Sequence, residues 1–188
     1  MQPVRCFHLR SESLLLLLLL HGYCRATAEA AAKALGIPED SVLVASTGVI
    51  GMQIPIDRIA NGVTAMAPNL KGTREAGLEA AKAIMTTDTE KKEAAVEIEI
   101  GGKTVTVGGM CKGSGMIHPN MCTMLGFITS DVDISKELLQ EALSEDIKDT
   151  YNMVSVDGDT STNDTVLLLA NGQAGNPKIT EKNADYEE

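Results

Sequence analysis

AVEIEIGGKTVTV, Ala95 to Val107, is the stretch on which the fold turns: two runs of alternating apolar and polar residues joined by Gly101-Gly102. Alternation with a period of two marks strands, and a Gly-Gly step supplies the positive φ angles of a two-residue hairpin turn. The reading is an antiparallel hairpin with one wet face. Downstream, the glycine-dense GGMCKGSG (Gly108 to Gly115) reads as a loop, and MCTMLGFITSD (Met121 to Asp131) as an apolar strand closed by polar residues. SKELLQEALSEDI, from Ser135 to Ile147, is an amphipathic helix with Ser135 as its N-cap. Two more strands are expected, Asn152 to Val156 and Thr165 to Ala170, on either side of the acid-rich DGDTSTND.

Upstream of the hairpin the composition is helical. RATAEAAAKAL, Arg25 to Leu35, is rich in strong helix formers and is stopped by Gly36 and Pro38. Pro55 to Met66 and Thr73 to Met85 are two further helices, separated by the Pro68 to Gly72 break. Between the first and second helix, SVLVA (Ser41 to Ala45) reads as a short strand running into the glycine-bracketed loop STGVIG, Ser46 to Gly51. Strands and helices mix without a regular βαβ period. The class is therefore α/β, in the sense of an α+β layered sandwich.

The ends differ from the middle. Residues 1–24 hold Arg5 and Arg10 followed by an unbroken Leu14 to Leu20 run, an atypical leucine-rich leader that is either signal-like or foreign to the fold. Seven leucines are too few to cross a bilayer as a helix, so no membrane is expected as a partner. Residues 180–188 form a polar, acidic tail that is expected to fray.

Composition removes several functions. A formal charge of -10 provides no extended basic surface, and 3% aromatic content without Trp leaves no base-stacking platform, so nucleic acid is excluded as a partner. The four cysteines, Cys6, Cys24, Cys111 and Cys122, form no CxxC pair and read as reduced, buried thiols. GGMCKGSG matches neither phosphate-loop pattern. His118 stands without a second His or a matching acid. DGDTSTND lacks the ligand spacing of a calcium-binding loop, so no metal is expected. Taken alone, Thr123 is an ordinary β-branched residue in a strand.

Its neighbours change that reading. KGSGMIHPNMCTMLGFITSD, Lys112 to Asp131, resembles the self-cleavage segment of the ornithine acetyltransferase (glutamate N-acetyltransferase) family, in which the Thr of a TML motif begins the β-chain. STGVIG is similar to the family's oxyanion loop, and VDGDTSTNDTV, Val156 to Val166, to a characteristic β-chain segment. The three occur in the family's order, and the resemblance covers about Arg25 to Lys178. It implies an N-terminal-nucleophile type of fold, with residues 25–122 as part of an α-chain and 123–179 as the start of a β-chain.

The implied chemistry is self-cleavage between Cys122 and Thr123, after which the freed α-amine of Thr123 serves as base for its own hydroxyl. Thr123 would carry acetyl from N-acetylornithine to glutamate, in arginine biosynthesis. The Thr47 side chain and the Gly48 backbone N–H would stabilise the oxyanion, where loss of one donor typically raises the barrier by about 3 kcal/mol. Thr86 and Lys112, with Thr123, match substrate-binding positions. No cofactor is implied, and acetyl-CoA enters as a substrate only if the enzyme is bifunctional. The implied assembly is α2β2, and the implied location is the cytoplasm or an organelle (the mitochondrial matrix in a eukaryote), with secretion the alternative if the leader is a signal.

Two departures accompany the resemblance. Cys122 stands where the family has Ala, and it is itself an alternative nucleophile. The family's later substrate-binding Glu, Asn and C-terminal hydroxyl residue have no counterpart in the sequence, and the leader replaces its N-terminal lobe, so an incomplete pocket is expected. Two alternatives stay open: an inactive fragment of the family, and a related N-terminal-nucleophile amidohydrolase.

Overall fold

The computed structural model describes residues 2–6, 14–48, 52–115, 124–158 and 164–188. The chain divides into two compact units, one of residues 9–79 and one of residues 1–8 with 80–188.

The first unit is helical. Helix α1, Leu14–Leu35, packs on helix α2, Ile56–Met66, and helix α3, Arg74–Ala83, follows across the boundary at residue 79. Helix α1 stops where the sequence says it must: Gly36 adopts a φ of 67°, and the Ile37 N–H turns back to the Ala32 carbonyl at 3.1 Å. This is the left-handed cap in which a glycine lets the chain satisfy a carbonyl left open at a helix end. The strand expected at Ser41 to Ala45 does not form. Glu39–Ser41 is a 3-10 turn, Val42 is extended, and residues 42–48 belong to no helix and pair with no strand among the described residues. A β-branched run makes extended backbone easily, but a strand exists only where a neighbour takes its hydrogen bonds.

The second unit is a five-stranded sheet covered by a helix. In chain order it comprises β1 (Gln2–Cys6), β2 (Lys92–Ile100), β3 (Lys103–Lys112), β4 (Leu125–Ser130), helix α4 (Lys136–Asp149), β5 (Thr165–Ala170) and a short helix α5 (Ala184–Glu187). The strands lie in the order β1-β5-β4-β3-β2, antiparallel throughout except for the parallel β4–β5 pair. This is the expected α/β layered class. The β2–β3 hairpin turns on Gly101 and Gly102, whose φ angles of 56° and 72° are both left-handed. Gly101 is constrained twice, since a Cβ there would lie 2.6 Å from Pro177 Cδ.

Strand β3 does not stop at the glycines. It runs through Gly108 and Gly109, which are paired with both β2 and β4, to Lys112, which is paired with Leu125 of β4. The expected loop therefore begins only at Gly113. The alternation of β2 is also less complete than its sequence suggests: Ile100 is buried, whereas Val96 remains 56% exposed.

Helix α4 begins at Ser135, whose hydroxyl accepts from the Leu138 N–H at 3.4 Å, as the sequence predicts. It lays Leu139, Leu143 and Ile147 against Val166 and Leu168 of β5. A second cluster joins Ile100 and Val105 of the hairpin to Val132 and Ile179. The strand expected at Asn152 to Val156 is instead a 3-10 turn, Tyr151–Met153, followed by unpaired chain. Met153, Val154 and Val156 remain exposed, with no apolar surface to hold them in a sheet.

The acidic tail does not fray. Ile179 bridges Ile134 and is buried, Lys182 Nζ donates to Glu141 Oε1 at 2.8 Å, and Asp185 Oδ1 accepts the Gly101 N–H at 3.2 Å. Tyr186 packs on the second cluster. Of the free cysteines, Cys111 is half-buried but Cys24 is exposed on α1, contrary to the expectation of burial. Among the described residues no helix is long and apolar enough to cross a membrane.

The α4–β5 cluster is the packing on which the sheet unit rests. Leu143→Ala should lower its unfolding free energy by about 3 kcal/mol, from lost burial and an incompletely filled cavity. Val96→Ala, at an exposed position, should change it by less than about 0.5 kcal/mol. Urea unfolding followed by circular dichroism tests both, and equal midpoints for the two variants would contradict this assignment of the core.

Candidate active site at the end of the sheet

Strands β3, β4 and β5 reach one end of the sheet at Lys112, Leu125 and Thr165, which lie in register side by side. Around this end lie two carboxylates, Asp88 from the loop before β2 and Asp164 from the residue before β5, with the ammonium of Lys112 at the end of β3. Lys112 is only 2% exposed, so it is a buried lysine and not a solvated loop residue. Burial pushes its pKa down, while the charges of Asp88 and Asp164 act in the opposite direction. A buried ammonium with two carboxylates nearby keeps its charge at lower cost than an isolated one.

Asp88 straps two loops together. Its Oδ1 accepts from the Gly113 N–H at 2.8 Å and from Lys92 Nζ at 2.5 Å, and its Oδ2 accepts from the Thr86 N–H at 3.3 Å. A second tie runs between the hydroxyls of Thr87 and Ser114, 2.6 Å apart. Burial of Asp88 opposes its charge, but the Lys92 ammonium and the two backbone donors outweigh it and hold the carboxyl at about 2. The consequence is positional: the loop of Thr86, which is exposed, and the end of β3 at Lys112, which is buried, are fastened by one side chain.

Asp164 does the equivalent work between β4 and β5. Its Oδ1 accepts the Met124 N–H at 2.8 Å, and the Met124 carbonyl accepts the Thr165 N–H at 3.0 Å. Both backbone groups of Met124 are thereby fixed. Asp164 Oδ2 is buried and has no hydrogen-bond partner among the described residues. Burial raises its pKa to about 6, against the lowering effects of the Met124 N–H and Lys112.

The expected site residues fall into three groups. Thr86 and Lys112 are brought together by the Asp88 strap. Thr47 and Gly48 lie in the helical unit, both exposed, at the end of the unpaired stretch after Ser41. Cys122, Thr123 and His118 lie outside the described residues, as do Asp159 to Asn163 of the acid-rich segment. Among the described residues no His, Cys, Asp and Glu cluster could hold a metal. Asp88 and Asp164 are the polar residues that sequence reasoning did not single out. Beyond the nearby Thr86 and Lys92, Asp88 reaches a partner 25 positions away, and Asp164 one 40 positions away, and no local pattern announces such distant contacts.

A family model described as the ArgJ family matches residues 21–188. The chain belongs to the ArgJ family. It is 57% identical over 159 residues to the arginine biosynthesis bifunctional protein ArgJ of Symbiobacterium thermophilum, covering 85% of this chain and 39% of that protein. With the protein of the same name from Lactococcus lactis the identity is 53% over 167 residues, covering 88% and 41%. With the chloroplastic one of Ostreococcus lucimarinus it is 49% over 156 residues, covering 83% and 34%. A crystal structure of arginine biosynthesis bifunctional protein ArgJ from Bacillus halodurans aligns with a TM-score of 0.48 at 44% identity, covering 53% of this chain and 51% of that one. The chain thus spans about two fifths of the length of the curated relatives it matches.

The Asp88 strap has a pH signature. Its folded pKa of about 2 lies below the ordinary 3.8, so the stability it contributes is present above pH 4 and lost as pH falls toward 2. The wild-type chain should lose about 1–2 kcal/mol more between pH 4 and pH 2 than an Asp88→Asn variant, as read by urea unfolding. Parallel pH profiles for the two would mean that Asp88 does not carry the charge described.

Proposed function

We propose that this chain carries the self-cleaving, acetyl-transferring centre of an ornithine acetyltransferase, with Thr123 as cleavage point and nucleophile. The observation that carries the reading is the fixed Met124. The residue following Thr123 has both backbone groups held, beside the buried Lys112. Family membership supports it, and the matched relatives are named for arginine biosynthesis.

In the first step Thr123 Oγ attacks the Cys122 carbonyl. The bond from that carbonyl to the Thr123 nitrogen breaks, the nitrogen takes the hydroxyl proton, and an ester is left. Water then opens the ester, returning the Thr123 hydroxyl and leaving a carboxylate on Cys122. In turnover the freed amine takes the proton of Thr123 Oγ as it attacks the acetyl group of N-acetylornithine. Ornithine departs with a proton, and the acetyl-threonine is passed to the amine of glutamate. Thr47, through its side chain, and Gly48, through its N–H, stabilise the tetrahedral oxyanions. Thr86 and Lys112 hold the substrate, the ammonium of Lys112 facing a substrate carboxylate.

No cofactor takes part in this scheme. The matched relatives are named bifunctional, and acetyl-CoA enters as a substrate only if this protein is bifunctional too. The assembly we propose is α2β2, and a cytoplasmic or organellar setting accords with a chloroplastic relative.

Acetyl transfer from N-acetylornithine to glutamate is the test. Thr123→Ala should abolish it, Thr47→Ala should lower kcat by about 10²–10³-fold, and Lys112→Ala should act mainly by raising KM. Glutamate acetylation that survives Thr123→Ala would sink the proposal. Preferred transfer to water would make the protein an amidohydrolase instead.

A further inference from the structure

Before the cut, the nitrogen of residue 123 belongs to a peptide bond and has no basicity to offer, so whatever prepares the first attack must come from the surrounding fold. Among the described residues the side chain that hydrogen-bonds the peptide group following residue 123 is that of Asp164, through the Met124 N–H at 2.8 Å. The contact is set within a rigid frame. Thr165, the next residue, holds the Met124 carbonyl and opens the parallel β4–β5 pair. Asp164 is 9% exposed and its Oδ2 is buried without a partner among the described residues. A buried carboxylate is costly to keep charged, and more so where one of its oxygens lacks a donor.

We propose that Asp164 is a positioning residue for the cut before Thr123, acting through the Met124 amide, and that its ionised form is the one that holds this amide in place. The inference rests on the self-cleavage reading above. A carboxylate accepts a backbone N–H roughly twice as strongly as a neutral oxygen does. Protonation at Oδ2 leaves the neutral form and slackens the hold. The groups that set this balance are Lys112 at the end of β3, which favours the charged form, and Asp88, which acts on Lys112 from the loop before β2. With burial dominant, the carboxyl titrates at about 6, within reach of ordinary buffers.

The sign follows directly. Raised above the usual 3.8, the folded pKa means that charged Asp164 costs the fold stability as pH rises through about 6. A residue kept for stability alone would not be placed so; one kept for a step at neutral pH would.

The test is the rate at which the intact chain separates between Cys122 and Thr123, followed by mass across pH 5 to 8 for the wild type, Asp164→Asn and Asp164→Ala. The wild-type rate should rise with pH through a midpoint near 6. Asp164→Asn mimics the protonated acid: it should match the wild type at pH 5 and lag by about tenfold at pH 8. Asp164→Ala, with no acceptor, should be slower than both at every pH. Misfolding would slow the Asn variant at all pH values and would not make it converge with the wild type at pH 5. A wild type that is cut with a flat profile overturns the proposal, even if neither variant folds. So does an Asn variant that keeps the wild-type rate and profile. A wild-type chain that stays whole at every pH overturns the self-cleavage reading itself, and this inference with it.

Discussion

Parallel strands β4 and β5 start side by side because a single residue is held at both of its backbone groups. The Met124 N–H is taken by the Asp164 carboxylate, and its carbonyl by the Thr165 N–H. From that point six residue pairs run in register, Leu125 with Thr165 to Ser130 with Ala170, and the apolar residues of β5 are presented to α4. The register of a parallel pair has no tight turn to fix it, so it depends on such starting contacts and on burial. The same contact sets the position of the chain next to Thr123. Fold and proposed chemistry therefore share one hydrogen bond.

Electrostatics at this end of the sheet sorts two similar residues into different roles. Asp88 and Asp164 are both buried aspartates that accept backbone N–H bonds, and both act on Lys112. Asp88 has an ammonium and two amides on it and is held at about 2, a fixed negative charge throughout the physiological range. Among the described residues Asp164 meets one amide and the charge of Lys112, and burial wins, at about 6. Among those residues the difference lies in how many donors each carboxylate meets. It assigns the strap to Asp88 and the proton-sensitive hold to Asp164, with both carboxylates favouring the charged form of Lys112 against its burial.

Much of the fold was legible in the sequence wherever the signal was local. The Gly101-Gly102 turn, the Gly36 stop and the Ser135 cap each depend on a few neighbouring residues, and each is found where it was expected. The failures share a cause. Ser41 to Ala45 and Asn152 to Val156 have strand composition but no partner strand, while Gly108 and Gly109 look like loop and become strand because β2 and β4 lie on either side. The acidic tail was misread for the same reason, since Ile134, Glu141 and Gly101, which hold it, are distant in sequence. At the candidate site, Thr86 and Lys112 were legible only through a resemblance. Asp88 and Asp164 were missed because an aspartate in a polar run looks solvated until the fold buries it.

The account stands or falls on what happens at residue 123. Intact mass and N-terminal sequencing of the purified chain, with Thr123→Ala alongside, address this most directly. The account predicts two pieces from the wild type, one ending at Cys122 and one beginning at Thr123, and a single undivided chain from the variant. A wild-type chain that remains whole, or a variant that is still cut at this bond, would contradict it.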